Sequence, residues 1–409
     1  MESCHVATCD VPLPIDSFLS AAIWLKEKVV EATWKTENAP CVDPTTYLGL
    51  LGTAFVCLRS YEATGSLDDL RLSSEIVDKC ASSLASSKHS RNVTFLCGNT
   101  GVYALGAVVA HYQDDQQRRK KFLDMFIEVA RESTLSAGAE EGGFGMSYEL
   151  LHGRAGFLFS ALFINRYLGP DSVPYQLLKP IIKAVLTGGR AGSGHNSDCP
   201  LMYRWHGTRF LGAASGLAGI LHILLHFPLE VEEREDVEAA IWYLVRNRFK
   251  QGGNYPSSQN NSRDTLVQWS HGAGGVAIML CKAAQVYAEE KKTDDFHAKA
   301  LKLHDAAIEA GEVVWRRGQN HKIGLADGIA GNAYTFLSLY RLTADHLYLN
   351  RAEVFAATLH EKIKKMIPLD DTSDEELNVF SLFHGLAGVA CIFFDIASPV
   401  NSKFPGFEV

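Results

Sequence analysis

The chain has 409 residues, of which 47% are hydrophobic and 21% charged, a balance that is ordinary for a soluble globular protein. Its formal net charge of -8 and its lack of a basic cluster argue against a nucleic-acid-binding protein. Nine cysteines without a regular spacing favour a reducing compartment, and residues 1–16 lack the basic and apolar segments of a signal peptide. We therefore expect a cytoplasmic protein with a flexible segment over residues 1–16.

A glycine motif repeats seven times along the chain. In each copy a glycine is followed three residues later by a second glycine and then by an apolar run. The first glycines of the seven copies are Gly49, Gly98, Gly153, Gly216, Gly272, Gly328 and Gly385. Copies at a near-constant period normally stack into one body, so the pattern predicts a single repeat domain over residues 1–409.

Amphipathic segments with helical spacing lie between the glycine motifs, at residues 68–86, 118–131, 234–250, 297–317 and 351–365. Each repeat therefore predicts a hairpin of one apolar, small-residue helix and one amphipathic helix. Seven such hairpins can close into two concentric rings of helices. The predicted fold class is all-α, an (α/α) toroid of seven helical-hairpin repeats, with few and peripheral strands.

The residue before each first glycine is the candidate for function. In chain order these residues are Leu48, Cys97, His152, Ser215, His271, Asp327 and His384. If every motif opens an inner helix, these side chains meet at one end of the ring, where the helix N-termini favour anionic ligands. The pattern predicts a ligand site at that end, whereas most of the later glycines serve packing.

Further motifs give the chain a family resemblance over nearly its whole length. They are Thr94-Phe95-Leu96-Cys97-Gly98, Pro200-Leu201-Met202-Tyr203, Gly253-Asn254-Tyr255-Pro256, Trp269-Ser270-His271-Gly272 and Phe404-Pro405-Gly406-Phe407-Glu408. With the seven glycine motifs, they resemble the LanC-like proteins, eukaryotic relatives of bacterial lanthionine cyclases. The resemblance implies a seven-fold toroid with a zinc ion in its central cavity. In the cyclases zinc binds a cysteine thiolate that adds to a dehydroamino acid, and the eukaryotic members are implied to add glutathione.

The zinc ligands that the resemblance implies are replaced in this chain. The family has two cysteines and a histidine where this chain has Ser270, Ala326 and Asp327, and Ser215 replaces an expected imidazole. A serine hydroxyl is a poor zinc ligand and alanine is none, whereas structural zinc sites in small peptides contribute about 10–16 kcal/mol. We therefore expect no metal and no cofactor in the family geometry, and no zinc-activated thiol addition.

Three titratable residues remain as candidate catalytic groups. Glu149 stands at the place of a carboxylate in the cyclases, and His271 stands where some members have a tyrosine. With His384, they are the acid and base groups that an active enzyme would use. His271, Asp327 and His384 could instead form an open metal site of two imidazoles and a carboxylate. The alternative interpretation is that these side chains line a wet cavity and hydrogen-bond to helix ends.

Five polar residues are candidates for binding the ligand. Arg154, Arg204, Arg263 and Lys322 could hold a carboxylate of glutathione, and Ser215 belongs to the predicted cavity. For at least half of the cationic residues, bracing of loop backbone is the alternative role.

Three functions follow from the sequence, in order of preference. The first is an inactive relative of the cyclases, a pseudoenzyme, that binds glutathione or a peptide or works with a signalling partner. The second is an active enzyme that adds glutathione to a dehydroamino acid. The third is a membrane-associated receptor component, because a plant branch of the family was once proposed as a G-protein-coupled receptor and residues 211–229 carry no formal charge. Glycine, histidine and proline in that stretch argue against a lipid-facing helix, so we expect no transmembrane segment and keep peripheral attachment at the plasma membrane as an alternative location.

Overall fold

A computed structural model of the chain describes residues 14–35, 43–84, 92–132, 135, 146–194, 198–289, 294–366 and 377–409. Within these ranges the protein is all-α, without strands, and has two isolated bridges, Trp205–Thr208 and Phe210–Ser258. The predicted flexible segment 1–16 falls mostly outside the described residues, and its last two residues, Ile15 and Asp16, form the first turn of a helix.

The helices follow one another in hairpins. In chain order they are α1 (Ile15–Thr33), α2 (Leu50–Thr64), α3 (Leu67–Ser83), α4 (Asn99–Tyr112), α5 (Gln116–Ala130), α6 (Arg154–Leu168), α7 (Tyr175–Ser193), α8 (Leu217–Leu224), α9 (Val231–Arg246), α10 (Ala273–Glu289), α11 (Asp294–Arg317), α12 (Ile329–Thr343), α13 (His346–Met366), α14 (Leu377–Phe380) and α15 (Leu386–Ala397). The helices α2, α4, α6, α8, α10, α12 and α15 each begin directly after the first glycine of a motif, as the repeat pattern predicts.

These seven helices form a closed inner ring. Each packs against the next in chain order, and α15 packs against α2 to complete the circle. Their side chains are buried almost without interruption because the inner helices have neighbours on every side. Small residues permit this close approach: a methyl group added at Gly101 on α4 would lie 2.1 Å from the carbonyl oxygen of Phe95 in the loop that leads into α4, and 2.9 Å from the hydroxyl oxygen of Thr46 in the first repeat. The predicted toroid is confirmed.

The outer ring consists of the amphipathic helices. Helices α3, α5, α7, α9, α11 and α13 pack against the inner helices that precede them in the chain, and α1 packs against α15. The seventh hairpin is therefore assembled from the two ends of the sequence. The amphipathic segments predict α3, α5, α9, α11 and α13, but they include neither α7 nor α1, which supplies the last outer helix.

The C-terminal segment fills the bore of the inner ring. Phe404 stacks on Trp269 with 4.8 Å between ring centroids, and Phe407 stacks on His222 at 4.1 Å. Glu408 pairs with Arg341 on α12. Both phenylalanines are fully buried. The C-terminal segment therefore occupies the space between the inner helices α8 and α12 and the loop before α10.

No described helix is both long enough and apolar enough to cross a bilayer. The uncharged stretch 211–229 contains α8, which has eight residues and a length of about 12 Å. All eight residues are buried inside the ring. The hydropathy of this stretch therefore reflects burial in protein and gives no support to a spanning helix.

Candidate functional site

The loops that carry the glycine motifs are joined to one another by hydrogen bonds; we call the ring that they form the rim. The amide of Ser270 donates to the carbonyl oxygen of Ala326 at 2.9 Å, and the amide of Ala326 donates to Phe383 at 3.0 Å. Phe383 in turn donates to Tyr47 at 3.2 Å, and Tyr47 donates to Leu96 at 2.9 Å. These bonds link the fifth, sixth, seventh, first and second repeats in one line.

The remaining neighbours in the rim are joined by side chains and by close packing. The Thr94 hydroxyl donates to the carbonyl oxygen of Leu151 at 2.5 Å, which links the second and third repeats. A methyl group added at Gly212 would lie 2.1 Å from the carbonyl oxygen of Ser270, so only glycine permits this approach of the fourth and fifth repeats. The ring of His152 stacks on that of Trp205 with 5.7 Å between centroids, which joins the third and fourth repeats. The seven helix entrances therefore lie side by side around one end of the ring.

The three positions that the family resemblance assigns to zinc ligands lie together in the rim. Ser270 and Ala326 are buried and are joined by the backbone hydrogen bond described above. Asp327 contacts the ammonium group of Lys322, and its carboxylate lies 3.7 Å from Nδ1 of His384. Burial acts to raise the pKa of Asp327, but the nearby His384 ring and Lys322 ammonium group outweigh it and hold the pKa below its ordinary value. Asp327 is therefore a carboxylate at neutral pH.

These residues do not fit a zinc ion in the family geometry. Zinc is held by thiolates, imidazoles and carboxylates, and only Asp327 among the three offers such a donor. That carboxylate is already paired with Lys322. Within the described ranges, moreover, no three His, Cys, Asp or Glu side chains form a group that could hold a metal ion. The alternative site of His271, Asp327 and His384 is thus not assembled in this structure.

Glu149 is a buried carboxyl group at the start of the third-repeat loop. It accepts hydrogen bonds from the Ser147 hydroxyl at 3.0 Å and from the amides of Leu151 and His152 at 2.6 and 2.9 Å. Burial raises its pKa to about 7 although these hydrogen bonds act in the opposite direction. Glu149 can therefore exchange a proton near neutral pH. The pKa of Cys97 is raised mainly by burial and to a lesser extent by the negative charge of Glu149. Cys97 is therefore a thiol at neutral pH.

The two predicted catalytic histidines have different surroundings. His384 is exposed, lies edge-on to the ring of Tyr47 at 5.4 Å and reaches Asp327. His271 lies beside Phe210 with 5.9 Å between ring centroids, and burial lowers its pKa, so it is neutral at pH 7. Glu149 bonds to its own partners in the third repeat. None of these contacts therefore joins Glu149, His271 and His384 to one another.

Arg154 is surrounded by backbone carbonyl groups and an aromatic ring of the protein itself. Its side chain is buried, its Nε donates to the carbonyl oxygen of Leu135 at 2.8 Å, and its guanidinium also contacts the carbonyl oxygen of Met146. The guanidinium carbon lies 4.9 Å from the centre of the Tyr148 ring, and burial lowers the pKa of Arg154. These contacts favour the alternative predicted for this residue, which is the bracing of loop backbone.

The other predicted ligand-binding residues lie at the surface near the rim. Arg204, Arg263 and Lys322 are exposed, and Ser215 is half-buried directly before α8. Lys322 is engaged by Asp327, so its charge is partly neutralised. These positions allow contact with a bound molecule, and the roles of all four residues stay predictions.

The sequence singles out His152 and His271 but does not predict the two aromatic residues that join them in the rim, Trp205 and Phe210. The rings of His152, Trp205, Phe210 and His271 follow one another across the third, fourth and fifth repeats, with successive centroid distances of 5.7, 6.0 and 5.9 Å. The sequence offers one indication of this group: Trp205 directly precedes His206 and Gly207, and a tight turn at these two residues can hold the tryptophan at the surface. Only the fold brings Trp205 against His152.

Comparisons with known proteins agree with this architecture. The family model described as lanthionine synthetase C-like protein matches residues 40–409. LanC-like protein GCL1 of Arabidopsis thaliana is 55% identical over 406 residues, which cover 98% of this chain and 90% of that protein. Glutathione S-transferase LANCL1 of Danio rerio is 33% identical over 380 residues, covering 91% of this chain and 87% of that protein.

A solved structure shows the same fold. Nisin cyclase superposes with a TM-score of 0.60 over 95% of this chain and 98% of that chain, at 14% sequence identity. The repeat motifs, the closed double ring of helices and these relatives all lead to the same conclusion. The chain belongs to the lanthionine synthetase C-like family.

Proposed function

We propose that this chain is a LanC-like protein without zinc-dependent catalysis that binds glutathione or a related short peptide at the rim. The proposal is supported most directly by the side chains that stand where the resemblance places the metal ligands. Ser270 and Ala326 supply no thiolate, and Asp327 is engaged by Lys322 and His384. A substrate thiol would meet no metal ion held in that geometry and would stay protonated near neutral pH.

Binding can persist without that chemistry. The N-termini of the inner helices converge on the rim, and each presents amide groups that favour anionic groups. Glutathione carries two carboxylates, and Arg204, Arg263 and Lys322 are exposed in the loops around the rim. The name of the Danio rerio relative, a glutathione S-transferase, supports glutathione as the ligand to test first. We further propose a cytoplasmic location, with a signalling partner and peripheral membrane attachment as secondary hypotheses.

Isothermal titration calorimetry with glutathione at pH 7.4 tests the binding. The unmodified chain should bind, and Lys322→Ala should weaken binding by about three- to tenfold, the loss of one ordinary hydrogen bond, because Asp327 already partly neutralises the charge of Lys322. Lys120→Ala is the matched control, because Lys120 is an exposed lysine on α5 that pairs with Asp124 away from the rim. The absence of any heat of binding would overturn the proposal, and so would equal losses in the two variants.

A second function is favoured by Glu149 alone. Its pKa of about 7 suits a general acid or base, as in the addition of the glutathione S–H bond across the double bond of a dehydroamino acid. In that reaction sulfur bonds to the β-carbon and a proton is delivered to the α-carbon. Turnover of glutathione with a dehydroalanine peptide, lost in Glu149→Gln and kept in Lys120→Ala, would establish this enzyme. We expect turnover no faster than in buffer.

A further inference from the structure

The four rings His152, Trp205, Phe210 and His271, which we call the aromatic strip, form a continuous surface along one side of the rim. The planes of His152 and Trp205 are nearly parallel, at 9° to each other. Trp205, Phe210 and His271 are half-buried and the His152 side chain is 40% exposed, so each ring keeps part of its surface open. Other aromatic rings among the described residues, such as Trp269, Phe404 and Phe407, are instead fully buried in the core.

The backbone holds Trp205 in place. Its amide donates to the carbonyl oxygen of Thr208 at 2.9 Å, and the amide of Thr208 donates back at 3.0 Å. The two residues between them, His206 and Gly207, have φ values of 47° and 77°. This is the geometry of a tight two-residue hairpin turn. The indole is therefore presented from a short, hydrogen-bonded loop that needs little ordering when a ligand arrives.

The rim thus has two chemically different sides. Lys322, Asp327 and His384 form a charged side in the sixth and seventh repeats, whereas the aromatic strip occupies the third, fourth and fifth repeats. Ligand sites commonly combine apolar and aromatic walls with a few polar groups that set the orientation. The carboxylates of glutathione can interact with the charged side, but glutathione carries no ring that could stack on the aromatic strip.

We infer that the rim selects short peptides that carry an aromatic ring, which stacks on Trp205 while the peptide's charged groups lie toward Lys322 and His384. This inference rests on the proposed binding function and names the ligand class more narrowly. The ring can belong to an aromatic residue of the peptide or to an aromatic group joined to the sulfur of glutathione. The shared chemistry is a planar ring on a small anionic peptide.

Matched ligand pairs test the inference by calorimetry with the full chain. One pair is S-benzylglutathione and S-methylglutathione; the other is γ-Glu-Phe-Gly and γ-Glu-Ala-Gly. Stacking of one aromatic pair corresponds to about three- to tenfold in affinity, so the aromatic member of at least one pair should bind tighter by that factor. The pair that shows the preference identifies the source of the ring.

Variants locate the preference on the aromatic strip. Trp205→Leu should abolish the difference between paired ligands, and Trp205→Phe should keep most of it. The control is Trp24→Leu, because Trp24 is 40% exposed on α1 in the outer ring. If Trp205→Leu does not fold, Phe210→Leu should reduce the same difference. Equal binding within both pairs by the unmodified chain would overturn the inference and leave the proposed function standing, whereas binding of none of the four ligands nor of glutathione would overturn both.

Discussion

Replacing Asp395 with asparagine should loosen the closure of the inner ring. Asp395 on α15 is buried, contacts the guanidinium of Arg59 on α2, and accepts a hydrogen bond from the Tyr334 hydroxyl at 2.7 Å. It therefore connects the last inner helix to the first and to α12. Asparagine keeps the shape of the side chain but removes the charge that compensates Arg59.

The size of the effect follows from the burial of this pair. Removal of one partner from a buried ion pair costs about 3–5 kcal/mol. Arg59 retains Glu62, whose carboxylate lies 2.9 Å away and is itself partly buried, so we expect a loss near 3 kcal/mol, the lower end of that range. With an unfolding entropy of about 2.1 cal/mol/K per residue over 409 residues, this loss lowers Tm by about 3–4 °C.

Differential scanning calorimetry checks this expectation. The control is Asp124→Asn, which removes the same charge from the exposed pair of Asp124 and Lys120 and should shift Tm by about 1 °C or less. The double variant Arg59→Met with Asp395→Leu should be less destabilised than the sum of its single changes, because neither charge is then left buried alone. Equal shifts in the Asp395 and Asp124 variants would refute the importance of the ion pair for ring closure.

Three other predictions concern stability. Arg154→Gln should lower Tm by about 2 °C, because it removes hydrogen bonds to loop carbonyls, and calorimetry should find glutathione affinity within about twofold of the unmodified chain. Burial lowers the pKa of His222 to about 3 and that of His226 well below its ordinary value. The unfolded chain therefore binds more protons below pH 6.5, so Tm should fall as the pH is lowered from 7 to 5, and less steeply in His222→Gln. Gly101→Ala should cost about 1–3 kcal/mol in urea unfolding, because its methyl group would meet the Phe95 carbonyl; an unchanged midpoint would contradict the tight packing of α4 against the loop that precedes it.

The toroid could be predicted because its signal is local and repeated. A glycine before each apolar run predicts where every inner helix begins, and helical periodicity predicts most of the outer helices. The seventh outer helix could not be assigned, since α1 has no glycine motif beside it and meets α15 only through closure of the ring. The position of Phe404 and Phe407 in the bore likewise depends on contacts far apart in the sequence, with Trp269 and His222.

For the site, the sequence predicts which types of residue are present but not the contacts that they make. The family resemblance identifies Ser270, Ala326 and Asp327 as the residues at the metal-ligand positions. That Asp327 pairs with Lys322 depends on side-chain positions in one loop. Whether an arginine such as Arg154 faces a ligand or the backbone depends on loop conformation, which carries no periodic pattern.

The zinc content of the purified chain, beside that of the triple variant Ser270→Cys, Ala326→Cys, Asp327→His, tests the loss of the metal centre most directly. The variant restores two thiolates and one imidazole at positions that already lie together in the rim. After dialysis against zinc-free buffer, we expect the unmodified chain to retain far less than one equivalent and the variant about one equivalent. A full equivalent of tightly held zinc in the unmodified chain would contradict the loss of the metal centre.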